Sequence, residues 1–156
     1  ANLPYNVSVP VLLGMLEKVP SLRSGVVMVQ SEVAERLAAQ AGSKNYGSPS
    51  VKAAWWADLE LAGNISRSVF WPVPNVDSKL VYFKRHEPLG DEEFRKRVFA
   101  LIDAAFSQRR KMIRSAMSSV LGLHVESIIS AAGIDPTLRG EALDISAYTA
   151  IAAQKY

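Results

Sequence analysis

Gly25-Val26-Val27-Met28-Val29-Gln30 decides how the first half of the chain folds. Its four consecutive apolar side chains, three of them β-branched, make too short a run for a buried helix. The run suits a strand buried on both faces, as strands of a parallel sheet are. Upstream, the stretch Asn6 to Lys18 places Val9, Leu12, Leu13 and Leu16 on one helical stripe, and Pro20 ends it. Downstream, Ser31 has the side chain of a helix cap, with a helix expected to about Ala41 and Gly42 as its stop. Lys44 to Gly47 is a polar loop, and Ser48-Pro49-Ser50 opens a helix expected to reach about Trp56. Asp58–Ser66 and Ser78–Arg85 read as strands around a Pro-rich loop, Phe70–Asp77. Helices and strands in alternation predict an α/β unit closed by an antiparallel hairpin.

Glu87-Pro88-Leu89-Gly90 has the composition of a linker, and every periodic segment after it is helical. Asp91 is a cap residue, followed by Glu92 and Glu93 at the positive end of the helix dipole. Phe94, Val98, Leu101, Ile102 and Ala105 then recur at helical spacing. Further helices are expected at about Lys111–Leu121, Val125–Ala132 and Ser146–Gln154, with Asp135-Pro136-Thr137 starting a turn. The expected division is an α/β part at residues 1–86, a linker at 87–90 and an all-helical part at 91–156.

With 156 residues and 49% apolar content, the chain can bury one core or two small ones. A net charge of +3 does not by itself imply nucleic acid. Its distribution is more telling: Arg95, Lys96, Arg97, Arg109, Arg110, Lys111 and Arg114 stand against one acid, Asp103, within residues 94–114. Cysteine is absent, and His86 and His124 are the only histidines, so no metal is expected. No signal peptide or membrane-spanning run appears, and a cytoplasmic location is the default expectation.

Asn2-Leu3-Pro4-Tyr5 resembles the active-site motif of enzymes that methylate an exocyclic amino group of a nucleobase. The residue types fit that chemistry. An aromatic amine is a poor nucleophile because its lone pair is delocalised into the ring. Two acceptors, the Asn2 side-chain carbonyl and the Leu3 backbone carbonyl, would draw its hydrogens toward tetrahedral geometry and localise that pair. Pro4 stiffens the turn and biases Leu3 toward an extended conformation. Tyr5 offers a face on which an extruded base can stack. Taken alone, the tetrapeptide is equally a strand end before a helix, with Asn-x-Pro as turn chemistry.

Two further segments favour the first reading. Val69-Phe70-Trp71-Pro72-Val73-Pro74-Asn75-Val76-Asp77-Ser78 follows the tetrapeptide, and Phe106-Ser107-Gln108-Arg109-Arg110-Lys111 comes next. With Arg139-Gly140-Glu141-Ala142-Leu143, their order and spacing resemble the KsgA-type small-subunit ribosomal RNA adenine dimethyltransferases over nearly the whole chain. The resemblance implies the C-terminal half of a Rossmann-like, S-adenosylmethionine-dependent methyltransferase domain, followed by a small helical domain that meets RNA. It implies methyl transfer from S-adenosylmethionine, by in-line displacement, to N6 of two adjacent adenines near the 3′ end of small-subunit ribosomal RNA. The implied catalytic residues are Asn2, Leu3, Pro4, Tyr5 and Phe70, with Phe70 stacking on or wedging against the adenine. Asn2 is the one residue expected to meet the cofactor.

Arg109, Arg110, Lys111 and Arg114 are the expected RNA contacts. Arg95, Lys96 and Arg97 are weaker candidates, because Glu92 and Glu93 lie within helical reach. Asp77 and Ser78 are expected to fix the loop, Trp55 and Trp56 to lie in the core, and Arg139 and Glu141 to pair with each other. Asn75 stands where the family often has a basic residue. No Gly-rich cofactor loop occurs, and Glu32 and Glu35 read as surface charges. The chain is therefore expected to be an inactive piece lacking the first half of its catalytic domain. Its half-sheet edge would then be open to pairing with a second chain. Two rival readings are a large-subunit RNA methyltransferase conferring antibiotic resistance and a non-catalytic RNA-binding assembly factor. The Gln-Arg-Arg-Lys and Arg-Gly-Glu-Ala-Leu segments favour the small-subunit branch; intact Asn2, Pro4, Tyr5 and Phe70 favour catalysis.

Overall fold

The computed structural model describes residues 1–156. A 3-10 turn at Tyr5–Val7 leads into α1 (Ser8–Lys18), whose Leu12 and Leu16 are fully buried. β1 (Ser24–Gln30), α2 (Ser31–Leu37), α3 (Ser48–Ala53), β2 (Ala57–Ile65) and β3 (Ser78–Arg85) complete the first half. The sheet has the order β1-β3-β2, and both pairings are antiparallel. The result is a mixed α/β arrangement around a small antiparallel sheet.

The expectation for β1 is corrected in two respects. Its full-length partner is antiparallel β3, and the only parallel pairing is the short bridge between Asn2 and Met28. Its burial alternates: Val27 and Val29 are buried, while Val26 is exposed and Met28 half-buried.

α2 ends at Leu37, short of the expected Ala41, and Ser31 is its first helical residue with no side-chain cap bond. The Ser50 hydroxyl donates to the Arg36 carbonyl, so a contact from α3 takes an acceptor that continued helix would use. Gly42 still forms a left-handed turn, φ +85°, and its N–H donates to the Glu141 carbonyl at 2.8 Å. α3 starts as expected: Pro49 lies in its first turn and the Ser50 hydroxyl accepts from Gly47 N–H at 3.0 Å. It ends at Ala53, before Trp56.

Arg85, the last residue of β3, donates to the Leu22 carbonyl at 2.6 Å and to the Leu16 carbonyl at 2.7 Å. The Leu16 carbonyl is one of the acceptors left open at the end of α1.

All regular elements after β3 are helical. α4 (Glu92–Ser107) begins at Asp91, whose carboxylate accepts from Phe94 N–H at 2.8 Å. The single helix expected at 111–121 is two, α5 (Ile113–Ala116) and α6 (Ser118–Leu121), broken at Met117. Its start is delayed because Met112 bridges Arg139 and the Ile113 N–H donates to the Leu138 carbonyl at 2.7 Å. α7 (Val125–Ala131) and α8 (Ile145–Ala152) follow, the latter capped by Asp144. Gly140 lies in a 3-10 turn, where an added Cβ would stand 2.8 Å from Ala105 and 2.9 Å from the Tyr148 hydroxyl.

One hydrophobic cluster runs through both halves, from Leu12, Val27 and Phe83 to Leu101, Tyr148 and Ile151. Trp55 and Trp56 are core residues, edge-on to Phe99 at 6.3 Å and 5.5 Å between ring centroids. Burying each large side chain of this kind contributes roughly 1.5–3 kcal/mol. No helix is long and apolar enough to cross a membrane.

Candidate active site

Backbone pairing fixes the tetrapeptide. Met28 N–H donates to the Ala1 carbonyl at 2.8 Å, and Leu3 N–H to the Met28 carbonyl at 3.1 Å. Leu3 is buried and anchors the segment; Asn2 and Pro4 are exposed. The Leu3 carbonyl accepts no backbone hydrogen bond and is free for a ligand. Tyr5 is half-buried, and its hydroxyl lies 2.9 Å from that of Ser78, at the start of β3.

The Pro-rich loop is clasped at its base. The Asp77 carboxylate accepts from Arg67 N–H at 2.9 Å, and the Arg67 guanidinium donates to the Asn75 carbonyl at 3.0 Å. The Asp77 carbonyl also accepts from Ser31 N–H at 3.0 Å. Asp77 thus fixes the loop through backbone groups, whereas Ser78 does so through a tyrosine side chain that it had not been paired with in the sequence. The loop places half-buried Phe70 opposite the tetrapeptide. Asn2, Leu3, Pro4, Tyr5 and Phe70 line one open cleft of about 320 Å3, together with Trp71, Pro72 and Pro74.

Arg109, Arg110 and Lys111 border a second hollow of about 330 Å3 with Phe106, Ser107 and Gln108, after the end of α4. Arg114 is not among its lining residues. Two of the four cations have acidic partners: Arg109 meets Glu141 at 2.8 Å and Arg114 meets Glu126 at 2.9 Å. The expected Arg139–Glu141 pair is therefore corrected to Arg109–Glu141. Arg110 and Lys111 are exposed and form no ion pair. Arg95 binds Glu17 and Glu92 and lies over the Trp56 and Phe99 rings, and Lys96 binds Glu93. Arg97 donates to the Ala152 carbonyl, so this trio is used internally. Glu32 pairs with Arg36 and Glu35 with Lys79.

The sequence reading overlooked Arg67. Asn75 offered no cation at the loop, but the Arg67 guanidinium lies on the Asn75 carbonyl. A basic residue just before a Pro-rich loop was the available signal. No group of three or more His, Asp or Glu is placed to hold a metal ion.

The family model of ribosomal RNA adenine dimethylase matches residues 1–154. Ribosomal RNA small subunit methyltransferase A of Leifsonia xyli is 60% identical over 99% of this chain and 56% of its own length. Its namesake from Streptomyces griseus is 57% identical over 99% of this chain and 54% of its own. The chain thus spans about half the length of the curated relatives it matches. A dimethyladenosine transferase from Plasmodium falciparum superposes with a TM-score of 0.80 over 97% of this chain and 63% of its own, at 22% identity. The 23S rRNA methyltransferase ErmE gives 0.68 over 97% and 62%, at 19% identity. At these identities the two structures show a shared fold.

Proposed function

Because the chain belongs to the ribosomal RNA adenine dimethylase family, we propose that it carries the acceptor half of a site that methylates N6 of two adjacent adenines near the 3′ end of small-subunit ribosomal RNA. The observation that carries this reading is the shared cleft: Asn2, Leu3, Pro4 and Tyr5 meet Phe70 across 64 intervening positions of sequence. High identity to small-subunit methyltransferases, over the whole chain, supports the choice of substrate.

The Asn2 carboxamide and the free Leu3 carbonyl accept the two hydrogens of the adenine amine and localise its lone pair. Tyr5 and Phe70 hold the extruded ring. The Ser78 hydroxyl fixes the tilt of Tyr5, and Pro4 limits the paths Leu3 can take. Positioning of this kind supplies most of the rate gain expected of these residues. S-adenosylmethionine supplies an electrophilic methyl group when bound. Residues 1–156 fit only the acceptor side of that donor: Asn2 is at the cleft, and no Gly-rich loop follows a strand. In this reading residues 1–86 are the second half of a Rossmann-like domain. Residues 91–156 are the helical unit that meets RNA through Arg109, Arg110, Lys111 and Arg114, with 87–90 between them.

The test uses the protein extended to the length of its relatives, labelled S-adenosylmethionine and undermethylated small ribosomal subunits. Digestion of the RNA should yield N6,N6-dimethyladenosine. Asn2→Ala should lower the rate on the order of a hundred-fold or more, the scale on which single positioned hydrogen-bonding groups act. RNA binding should stay nearly intact. Binding without any methyl transfer by the unsubstituted protein would overturn the reading in favour of an assembly factor.

A further inference from the structure

The tip of the Pro-rich loop carries a side chain that the reading above leaves idle. Trp71 is 94% exposed. It belongs to none of the aromatic pairs of the chain, and no cation lies over its ring. The other two tryptophans are in the core, so this is the only indole whose apolar faces remain in water. Val69, Val73 and Val76 beside it are exposed as well. A bare apolar patch at the rim of a cleft marks a place of contact.

Three observations say what kind of partner fits. Trp71 lines the same cleft as Asn2, Tyr5 and Phe70, next in sequence to Phe70 and far more exposed than it. The loop is held at its base by Asp77 and by the Arg67 guanidinium, so the indole is displayed on fixed backbone and little ordering is needed on contact. Arg67 is itself exposed, and its guanidinium, on the Asn75 carbonyl, places a cation at the base of the loop. A large flat face, a nearby cation and no deep apolar pocket suit an unpaired nucleobase with its phosphate better than a protein side chain. Single-stranded RNA is bound in this way, by bases stacked on aromatic rings beside basic groups.

We propose that Trp71, at the rim of the cleft where Phe70 and Tyr5 take the target adenine, is a stacking platform for the unpaired base next to it. The proposal rests on the RNA-methylating reading. Phe70 would then hold the reacting base and Trp71 its neighbour, which suits a substrate whose two targets are adjacent.

Two measurements on the full-length protein test it. With undermethylated small subunits, Trp71→Ala should raise KM by about five- to a hundred-fold, the range of a lost base–aromatic stack, with kcat changed less than about two-fold. Trp71→Phe should recover most of that loss. An unchanged KM in Trp71→Ala, in a protein that methylates normally, would overturn the proposal. The second measurement is tryptophan emission, with Trp71→Phe subtracted to isolate this residue. A short oligoadenylate should quench it. Absence of quenching by the oligoadenylate would overturn the proposal, as would quenching by whole subunits alone, which would indicate a protein partner. If the unsubstituted protein transfers no methyl group, the methylation reading fails while the quenching experiment still decides the role of Trp71.

Discussion

At the scale of single residues, the site is held by a contact that joins distant parts of the chain. The Tyr5 and Ser78 hydroxyls, 73 positions apart and 2.9 Å from each other, fix the ring proposed to stack on adenine. Ser78 is buried and Tyr5 half-buried, so water competes little for the bond. A neutral hydrogen bond of this kind contributes about 0.5–1.5 kcal/mol. Ser78→Ala should lower kcat of the full-length protein by about two- to ten-fold, and Tyr5→Phe by a similar factor. The double variant should lose no more than either single one, because both remove the same bond. Additive losses would show that the two residues act separately. The tetrapeptide was legible because its chemistry is local: an amide, a carbonyl, a stiff turn and a ring. The bond to Ser78 was not, since nothing near either residue specifies it.

At the scale of elements, the junction between α4 and α5 is the most informative. Four cations stand there in sequence, but Glu141 and Glu126 engage Arg109 and Arg114. A phosphate would have to compete with a carboxylate at those two and not at Arg110 or Lys111. Each cation that neutralises a phosphate contributes nearly one to the salt dependence of binding. Arg110→Ala and Lys111→Ala should each reduce the slope of log K against log salt by about 1, measured with small-subunit RNA. Arg114→Ala should reduce it less. The reverse order would mean that the ion pairs open on binding. Charge clustering was legible from sequence, whereas partners were not: Glu141 was paired with Arg139 because the two are neighbours in the chain. The late start of α5, at Ile113, was equally hidden. It follows from backbone ties to Leu138 and Arg139, which local helix preference does not sense.

At the scale of the whole molecule, the linker-like segment 87–90 does not divide the core. Tyr46 helps to join the halves, and Tyr148 braces the second half internally. The Tyr46 hydroxyl donates to the Leu143 carbonyl at 2.7 Å, and the Tyr148 hydroxyl to the Gly140 carbonyl at 2.9 Å. Burial raises both phenols above their ordinary value; Asp144 adds to the effect at Tyr46, and Tyr46 to that at Tyr148. A group raised in the folded state stabilises fully below its unfolded value, and that stability is lost as pH rises toward the folded value. Unfolding free energy should therefore hold level through neutral pH and fall above about pH 10, the ordinary range of tyrosine. Tyr46→Phe should cost about 1–3 kcal/mol at neutral pH by orphaning the Leu143 carbonyl. It should also flatten the alkaline fall, which denaturant titrations between neutral and alkaline pH would reveal. The alternation of helix and strand was readable because periodicity is a property of short windows. A core shared across a Pro-Gly segment was not, because composition marks where a chain can bend and not what packs beyond the bend. β3 holds α1 at both ends, through Ser78 on Tyr5 at one and Arg85 on Leu16 at the other. Its eight residues span about 26 Å, and the 3-10 turn and α1 together, Tyr5 to Lys18, about 22 Å. The strand is thus a gauge against which the helix is cut. One residue gained or lost within it would displace one clamp against the other by about 3.3 Å. A one-residue insertion should accordingly be borne at residues 87–90, where no second measure has to agree, and not within β3.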